Sequence, residues 1–264
     1  MTTDSSGLLA RILDKKRAEL PALRTLKLPD GPGPRPFSLR RAQGSLQLIA
    51  EIKFRSPSAG ALSSALSVSE RARAYQRAGA SMVSVLCDGS FFDGAYAHLA
   101  EARGACELPL LCKEFVIDES QLDAAVAYGA DAVLLIVRCL TEKRLAELTL
   151  AARARKLEPF VEVVNDEESK MAVGVGATLI GVNARDLDTL VMDAARPARM
   201  LAELPPSVTR VHLSGIAGPE DVQRVAASPA DAALIGEALM RADQPETKLR
   251  ALVAAAGGHL QPNA

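Results

Sequence analysis

Residues 46–60 read LQLIAEIKFRSPSAG. The first half is a continuous apolar run, the pattern of a strand covered on both faces in a parallel sheet. It ends in a carboxylate and an ammonium two positions apart, and because side chains alternate along a strand, Glu51 and Lys53 share one side of its end. A small, Pro- and Ser-rich stretch, RSPSAG, follows at once and reads as a mobile loop.

Similar runs recur along the chain: SMVSVLC (81–87), LPLLCK (108–113), DAVLLIV (131–137), PFVEVV (159–164), ATLIGVN (177–183), VTRVHLS (208–214) and DAALIG (231–236). Between them lie segments with helical spacing and acidic or hydroxylic starts, such as SVSERARAYQRAG, DESQLDAAVAYG and TEKRLAELTLAARARK. AGAS at 78–81, YGAD at 128–131 and VGAT at 175–178 each put a Gly after a helical segment and before an apolar run, where a left-handed helix cap belongs. SPAD at 228–231 repeats the position without the Gly. The recurrence, near every fifty residues, marks units of two strand and helix pairs, and four units make eight strands. Such alternation predicts an eight-fold β/α barrel, with a doubly wound open sheet as the other topology it allows. Neither GxGxxG nor GxxxxGK[ST] occurs to support a nucleotide-binding sheet.

Residues 1–45 stand outside the alternation. SSGLLARILDKKRAEL reads as an amphipathic helix and KLPDGPGPRPFSL as a connector, giving an N-terminal helical extension over a barrel of residues 46–258, in a single domain overall. The length of 264 residues and 48% hydrophobic content suffice for one sizeable core. With 31 basic and 32 acidic residues, the net charge of -1 gives no electrostatic ground for a nucleic-acid or anionic-membrane partner. Aromatic content is 3% with no Trp, which argues against stacking platforms for single-stranded nucleic acid. Neither a signal peptide nor a run long enough to span a bilayer is found, so a cytoplasmic location is expected. Cys87, Cys106, Cys112 and Cys139 form no CxxC pair, and His98, His212 and His259 are dispersed, so reduced thiols and no metal site are expected.

In a β/α barrel the chemistry gathers at the C-terminal ends of the strands. There the sequence places Glu51 and Lys53 on the first strand, Lys113 on the third, Glu162 on the fifth, Asn183 and then Arg185 on the sixth, and Ser214 with Gly215 on the seventh. A lone strand-end charge is ordinarily a solvated rim residue. Buried charges are costly unless paired, however, and so many polar groups at one end of apolar strands point to a reaction site. After strands seven and eight, SGIAGPEDV and IGEALMR put Gly215 and Gly236 where an anion could meet free backbone N–H groups. Glu237 would offer only its backbone N–H, its carboxylate turned away.

The motifs IAEIKFRSPSAG, FFDG, CKEFVID, FVEVVNDEE, IGVNARDL, SGI and IGEALMR, spanning roughly residues 46–242 in this order, resemble those of the indole-3-glycerol phosphate synthase family, and ILDKKRAEL resembles its opening segment. The resemblance implies decarboxylating, dehydrating ring closure of 1-(2-carboxyphenylamino)-1-deoxyribulose 5-phosphate to indole-3-glycerol phosphate, a carboxy-lyase reaction of tryptophan biosynthesis that needs no cofactor. By similarity Lys113 is the general acid at the ketone oxygen and Glu162 serves the dehydration. Glu51 and Lys53 position one another and the substrate, and Asn183 holds a substrate hydroxyl or the carboxylate, with Arg185 and Ser214 close by. Pro57, Phe92, Phe115, Leu134 and Leu187 would form the apolar slot for the ring, and Gly215, Gly236 and the Glu237 backbone the phosphate cradle. The implied partner is a small phosphorylated molecule, on a monomer or weak homo-oligomer.

The chain also departs from the family pattern. Glu114 stands where Asp is usual after the lysine, Cys87 where Thr is usual at the second strand end, and Ala59 where a basic residue is usual after SPS. Leu213 replaces a glutamate that belongs to the family's active-site carboxylates. Two readings follow: an active synthase, for tryptophan or for an indole-containing secondary product, or an altered relative that only binds a sugar phosphate or aryl-amine ligand. Retention of Glu51, Lys53, Lys113, Glu162 and Asn183 favours the first; Leu213 favours the second.

Overall fold

The computed structural model describes residues 7–41 and 44–257. Eight parallel strands close into a barrel in chain order: β1 Gln47–Ile52, β2 Met82–Leu86, β3 Leu110–Lys113, β4 Ala132–Ile136, β5 Glu158–Val163, β6 Leu179–Asn183, β7 Thr209–Leu213 and β8 Ala232–Ile235, with β1 hydrogen-bonded to both β2 and β8. The expected runs all form strands. Closure leaves no edge strand unpaired.

Helices follow the strands on the outside: α2 Val68–Arg77, α3 Tyr96–Ala105, α4 Glu119–Ala127, α5 Glu142–Ala154, α6 Asp166–Gly174, α7 Arg196–Glu203, α8 Pro219–Ala226 and α9 Pro245–Ala255, counted after an N-terminal α1 described below. Their starts are set locally. Ser67 and Glu70 form a reciprocal capping box on α2, Asp118 caps α4, the Thr141 hydroxyl accepts from the Arg144 N–H, and Asn165 accepts from the Glu168 N–H. Gly79, Gly129 and Gly176 take the expected left-handed conformation after α2, α4 and α6 (φ 88, 90 and 76°).

Period-two alternation divides the core. Outward residues such as Ile52, Val85, Leu135 and Val163 pack under the helices, while inward residues Ile49, Met82, Leu111, Phe160, Val211 and Leu213 fill the barrel. Each fully buried side chain of this kind contributes about 1.5–3 kcal/mol.

The N-terminal segment spans both ends of the barrel. Helix α1, Leu8–Thr25, begins later than the expected stretch and runs past it through Pro21; residues 1–6 lie outside the described part, as does position 258, the expected end of the barrel, and His259. Leu9 and Ile12 of α1 pack on Phe115, Leu134 and Ile136 at the C-terminal mouth. The connector then descends the wall, so that Leu39 joins the barrel interior from the opposite end. There Arg41 donates to the Ala230, Ala226 and Ser228 carbonyls (2.6, 2.8 and 2.8 Å). After β1, RSPSAG carries local structure: Arg55–Ser56 and Gly60–Ala61 pair as a small antiparallel hairpin, and the Ser56 hydroxyl accepts from the Ala59 N–H (3.1 Å).

Candidate active site

Glu51 and Lys53 make a close ion pair, Nζ to Oε1 2.9 Å, with Glu51 almost wholly buried. On neighbouring β2 the Ser84 hydroxyl donates to the other carboxylate oxygen (3.3 Å). Burial pushes the Glu51 carboxyl up, but Lys53, then Lys113, and the hydrogen bonds from Lys53 and Ser84 outweigh it and hold the group below the usual carboxylate range. Glu51 is therefore an anion at neutral pH. Gly236 at the end of β8 makes room for it, since a Cβ there would lie 2.5 Å from Glu51 Oε1.

A second pair stands across the mouth. Lys113 Nζ donates to Glu162 Oε2 at 2.9 Å, and the Asn183 amide donates to the other oxygen, also at 2.9 Å. Burial pulls the Lys113 amine down, but Glu162 and then Glu51 more than compensate, leaving it above its ordinary value and protonated. Asn183 also accepts from the Arg185 N–H (2.9 Å), and the Arg185 guanidinium donates to the Leu190 carbonyl (3.1 Å), which braces the loop after β6.

Beside these pairs open two adjoining spaces. One, about 500 Å³, is lined by Lys53, Arg185, Ser214, Gly215, Gly236 and the start of the short helix Glu237–Met240. The Glu237 carboxylate pairs with Arg241 (2.9 Å), one turn along. Ser214 and Gly215 both lie in the left-handed region (φ 69 and 81°), and His212 Nε2 donates to the Ser214 carbonyl (3.0 Å), which fixes this turn. The other space, about 120 Å³, has Pro57, Phe92, Phe115, Leu134 and Leu187 among its walls, with Leu8 and Ile12 of α1 beside them. The Phe92 and Phe115 ring centroids are 5.9 Å apart. A third cavity, about 420 Å³, lies at the opposite end of the barrel under residues 35–39, away from the convergent charges.

The fold brings every singled-out residue to one mouth: Glu51, Lys53, Lys113, Glu162, Asn183, Arg185 and Ser214 with the apolar residues, and Gly215, Gly236 and Glu237 at its edge. Leu213 is there too, 2% exposed, packed against Gly181 and in one apolar cluster with Phe160 and Leu234. The sequence reading missed Ser84, although it is the one polar residue of β2, on the same side as Met82 and Leu86. It placed α1 over the barrel but missed its part in the site: Leu9, Ile12 and Lys16 share a face at helical spacing, and all three are buried.

Among the described residues no helix is long and apolar enough to cross a membrane. Solved structures share the architecture: 3-hexulose-6-phosphate synthase from Salmonella typhimurium superposes with a TM-score of 0.64 over 80% of this chain and 98% of its own, at 13% identity, a likeness of fold alone. Sequence relatives are nearer. Indole-3-glycerol phosphate synthase 2 of Streptomyces coelicolor is 42% identical over 94% of this chain and 99% of its own length, and the indole-3-glycerol phosphate synthase of Desulfosudis oleivorans 39% identical over 95% of each. The family model described as indole-3-glycerol phosphate synthase matches residues 12–252, from α1 through all eight strands. The chain belongs to the indole-3-glycerol phosphate synthase family.

Proposed function

We propose that the chain closes the indole ring of 1-(2-carboxyphenylamino)-1-deoxyribulose 5-phosphate, releasing CO2 and water to give indole-3-glycerol phosphate, as a carboxy-lyase of tryptophan biosynthesis. The observation that carries this reading is the Lys113 ammonium 2.9 Å from Glu162, lining the same mouth as a second couple, Lys53 and Glu51, at 2.9 Å. Two acid and base couples in one partly dry mouth suit a reaction with two proton-transfer stages.

Lys113 is the general acid. As the ring carbon bearing the carboxylate attacks the ketone carbon, the developing alkoxide takes a proton from Nζ, and CO2 leaves to restore the aromatic ring. Glu162, held by Asn183 and freed as Lys113 gives up its charge, is then placed to accept the proton lost when water departs. Lys53 and Arg185 supply positive charge for the substrate's anionic groups, and Lys53 aids the dehydration. The phosphate rests on the backbone of Gly215 and Gly236 and the Glu237 N–H, the aryl ring between Pro57, Phe92, Phe115, Leu134 and Leu187, and Ser214 beside the sugar chain. Residues 46–258 act in this reading as one catalytic barrel with the N-terminal segment as its extension, in the cytoplasm.

The test is direct turnover by the purified chain, followed by indole fluorescence on addition of the aryl-amino ribulose phosphate. A product signal lowered about 10²–10⁴-fold in Lys113→Ala is expected. Substrate that binds without product forming would replace catalysis by ligand binding alone, the outcome that Leu213 would then explain.

A further inference from the structure

Away from the reacting groups, one ionic cluster is left without a role. Lys16 projects from α1 into the barrel wall with its side chain 4% exposed, and its Nζ lies 2.7 Å from Asp88, 2.8 Å from Glu19 and 3.3 Å from each Glu114 oxygen. Asp88 and Glu114 are fully buried. Both carboxylates also accept a backbone N–H. Asp88 accepts from the Phe91 N–H (2.6 Å) and starts the short helix Gly89–Phe92; Glu114 accepts from the Phe115 N–H (2.7 Å) and follows Lys113 directly in sequence. One cation thus joins α1 to the two segments that carry Phe92 and Phe115.

Those rings lie against each other in the wall of the same apolar space that α1 walls with Leu8 and Ile12. A buried ammonium has few places to go, because outside its socket it must be resolvated and inside it is, among the described residues, the only cation within 4 Å of Glu19, Asp88 and Glu114. The crossing is therefore sharply defined in position, which packing of Leu9 and Ile12 alone would not ensure. Arg24 makes a second link from α1, to Asp118 (2.6 Å), but that pair is exposed and worth little.

We propose that Lys16 is a positioning residue for substrate binding: seated in the Asp88 and Glu114 socket, it holds α1, Phe92 and Phe115 in register as the walls of the aryl slot. The proposal rests on the reaction proposed above, with the aryl group in that slot.

Steady-state kinetics and hydrogen exchange on the full chain test it. Lys16→Met is expected to raise KM at least tenfold while kcat stays within threefold, because Lys113 and Glu162 do not touch Lys16; Lys16→Arg, which keeps the charge, is expected to recover most of the affinity. Amides of residues 8–25 should exchange faster in Lys16→Met, those of α5 and α6 unchanged. Arg24→Gln is the control and should leave KM within twofold. If Lys16→Met fails to fold, Lys16→Gln with Glu114→Gln removes one cation and one carboxylate together and carries the same expectation. An unchanged KM in a folded variant, or a fall in kcat with KM constant, overturns the proposal. A parent protein without turnover would instead sink the reaction itself, and the exchange of residues 8–25 would still decide whether Lys16 seats α1.

Discussion

Replacing Lys113 by Met separates what the pair with Glu162 does for the fold from what it does for the chemistry. Lys113→Met keeps most of the stem's packing but leaves the Glu162 carboxylate, 1% exposed, with Asn183 as its remaining polar contact. Breaking a buried pair from one side costs roughly 3–5 kcal/mol; the open mouth, where the Lys113 side chain is 16% exposed, reduces this to about 2–3 kcal/mol. That is a fall in Tm of roughly 4–12 °C for a chain of this size. Adding Glu162→Gln removes the stranded charge, and the double variant should regain most of the loss. Activity should not follow. Loss of the general acid lowers kcat by about 10²–10⁴-fold, on the order of 3–5 kcal/mol of barrier, in single and double variants alike. Thermal melts and the indole fluorescence assay measure the two effects independently. A Lys113→Met protein with kcat within tenfold of the parent and a raised KM would make Lys113 a clamp on the substrate and refute the assignment.

Leu213→Glu places a carboxylate where Leu213 is 2% exposed; a cost of about 2–4 kcal/mol in a urea melt is expected, with faster turnover from a further partner for the mouth lysines, and a dead variant would mean a site rebuilt around the leucine. Burial raises the Glu114 carboxyl to about 7 against the pull of Lys16, with Asp88 adding to the rise. The folded state thus binds a proton more tightly than the unfolded chain, so this stabilisation is full below about pH 4.5 and lost as pH rises through 7. Between pH 6 and 8 the loss is about 1 kcal/mol, and Glu114→Gln should flatten that part of the stability profile; an unchanged slope would place the titration elsewhere. Gly236→Ala puts a methyl 2.5 Å from Glu51 Oε1 and should displace the carboxylate, costing about 1–3 kcal/mol and lowering kcat/KM; unchanged kinetics would free Glu51 from any dependence on its present position.

How far the molecule could be read from its residues depends on the kind of signal. The strands were legible because parallel strands covered on both faces leave continuous apolar runs, and the shared side of Glu51 and Lys53 followed from alternation, whereas Glu162 needed the register that the closed barrel supplies. Glu237 was expected to turn its carboxylate away; it pairs with Arg241, which lines the same space. What the chain did not disclose were contacts between residues far apart in sequence. Ser84 on Glu51 and His212 on the Ser214 carbonyl depend on which strands neighbour one another and on a single turn's conformation. Lys16 is harder still: within its helix it is one more lysine in ILDKKRAEL, and only the positions of Asp88 and Glu114, 72 and 98 residues on, distinguish it from Lys15.

The strap that runs from mouth to floor has a consequence for biosynthesis. Leu46 donates to the Ala256 carbonyl (3.1 Å), Gln47 to the Asp231 carbonyl (3.0 Å), and Arg41 holds carbonyls between residues 226 and 230. The stretch leading into β1 is thus anchored to residues made long after it. Until β8 and α9 have been made, β1 lacks one neighbour and the strap has no floor to close, so the apolar face of α1, with Leu9 and Ile12, has no completed mouth to cover. Vectorial synthesis therefore seats α1 only after β8 and α9 have emerged, although it precedes every strand of the barrel, and the nascent chain carries that exposed face while the barrel is made.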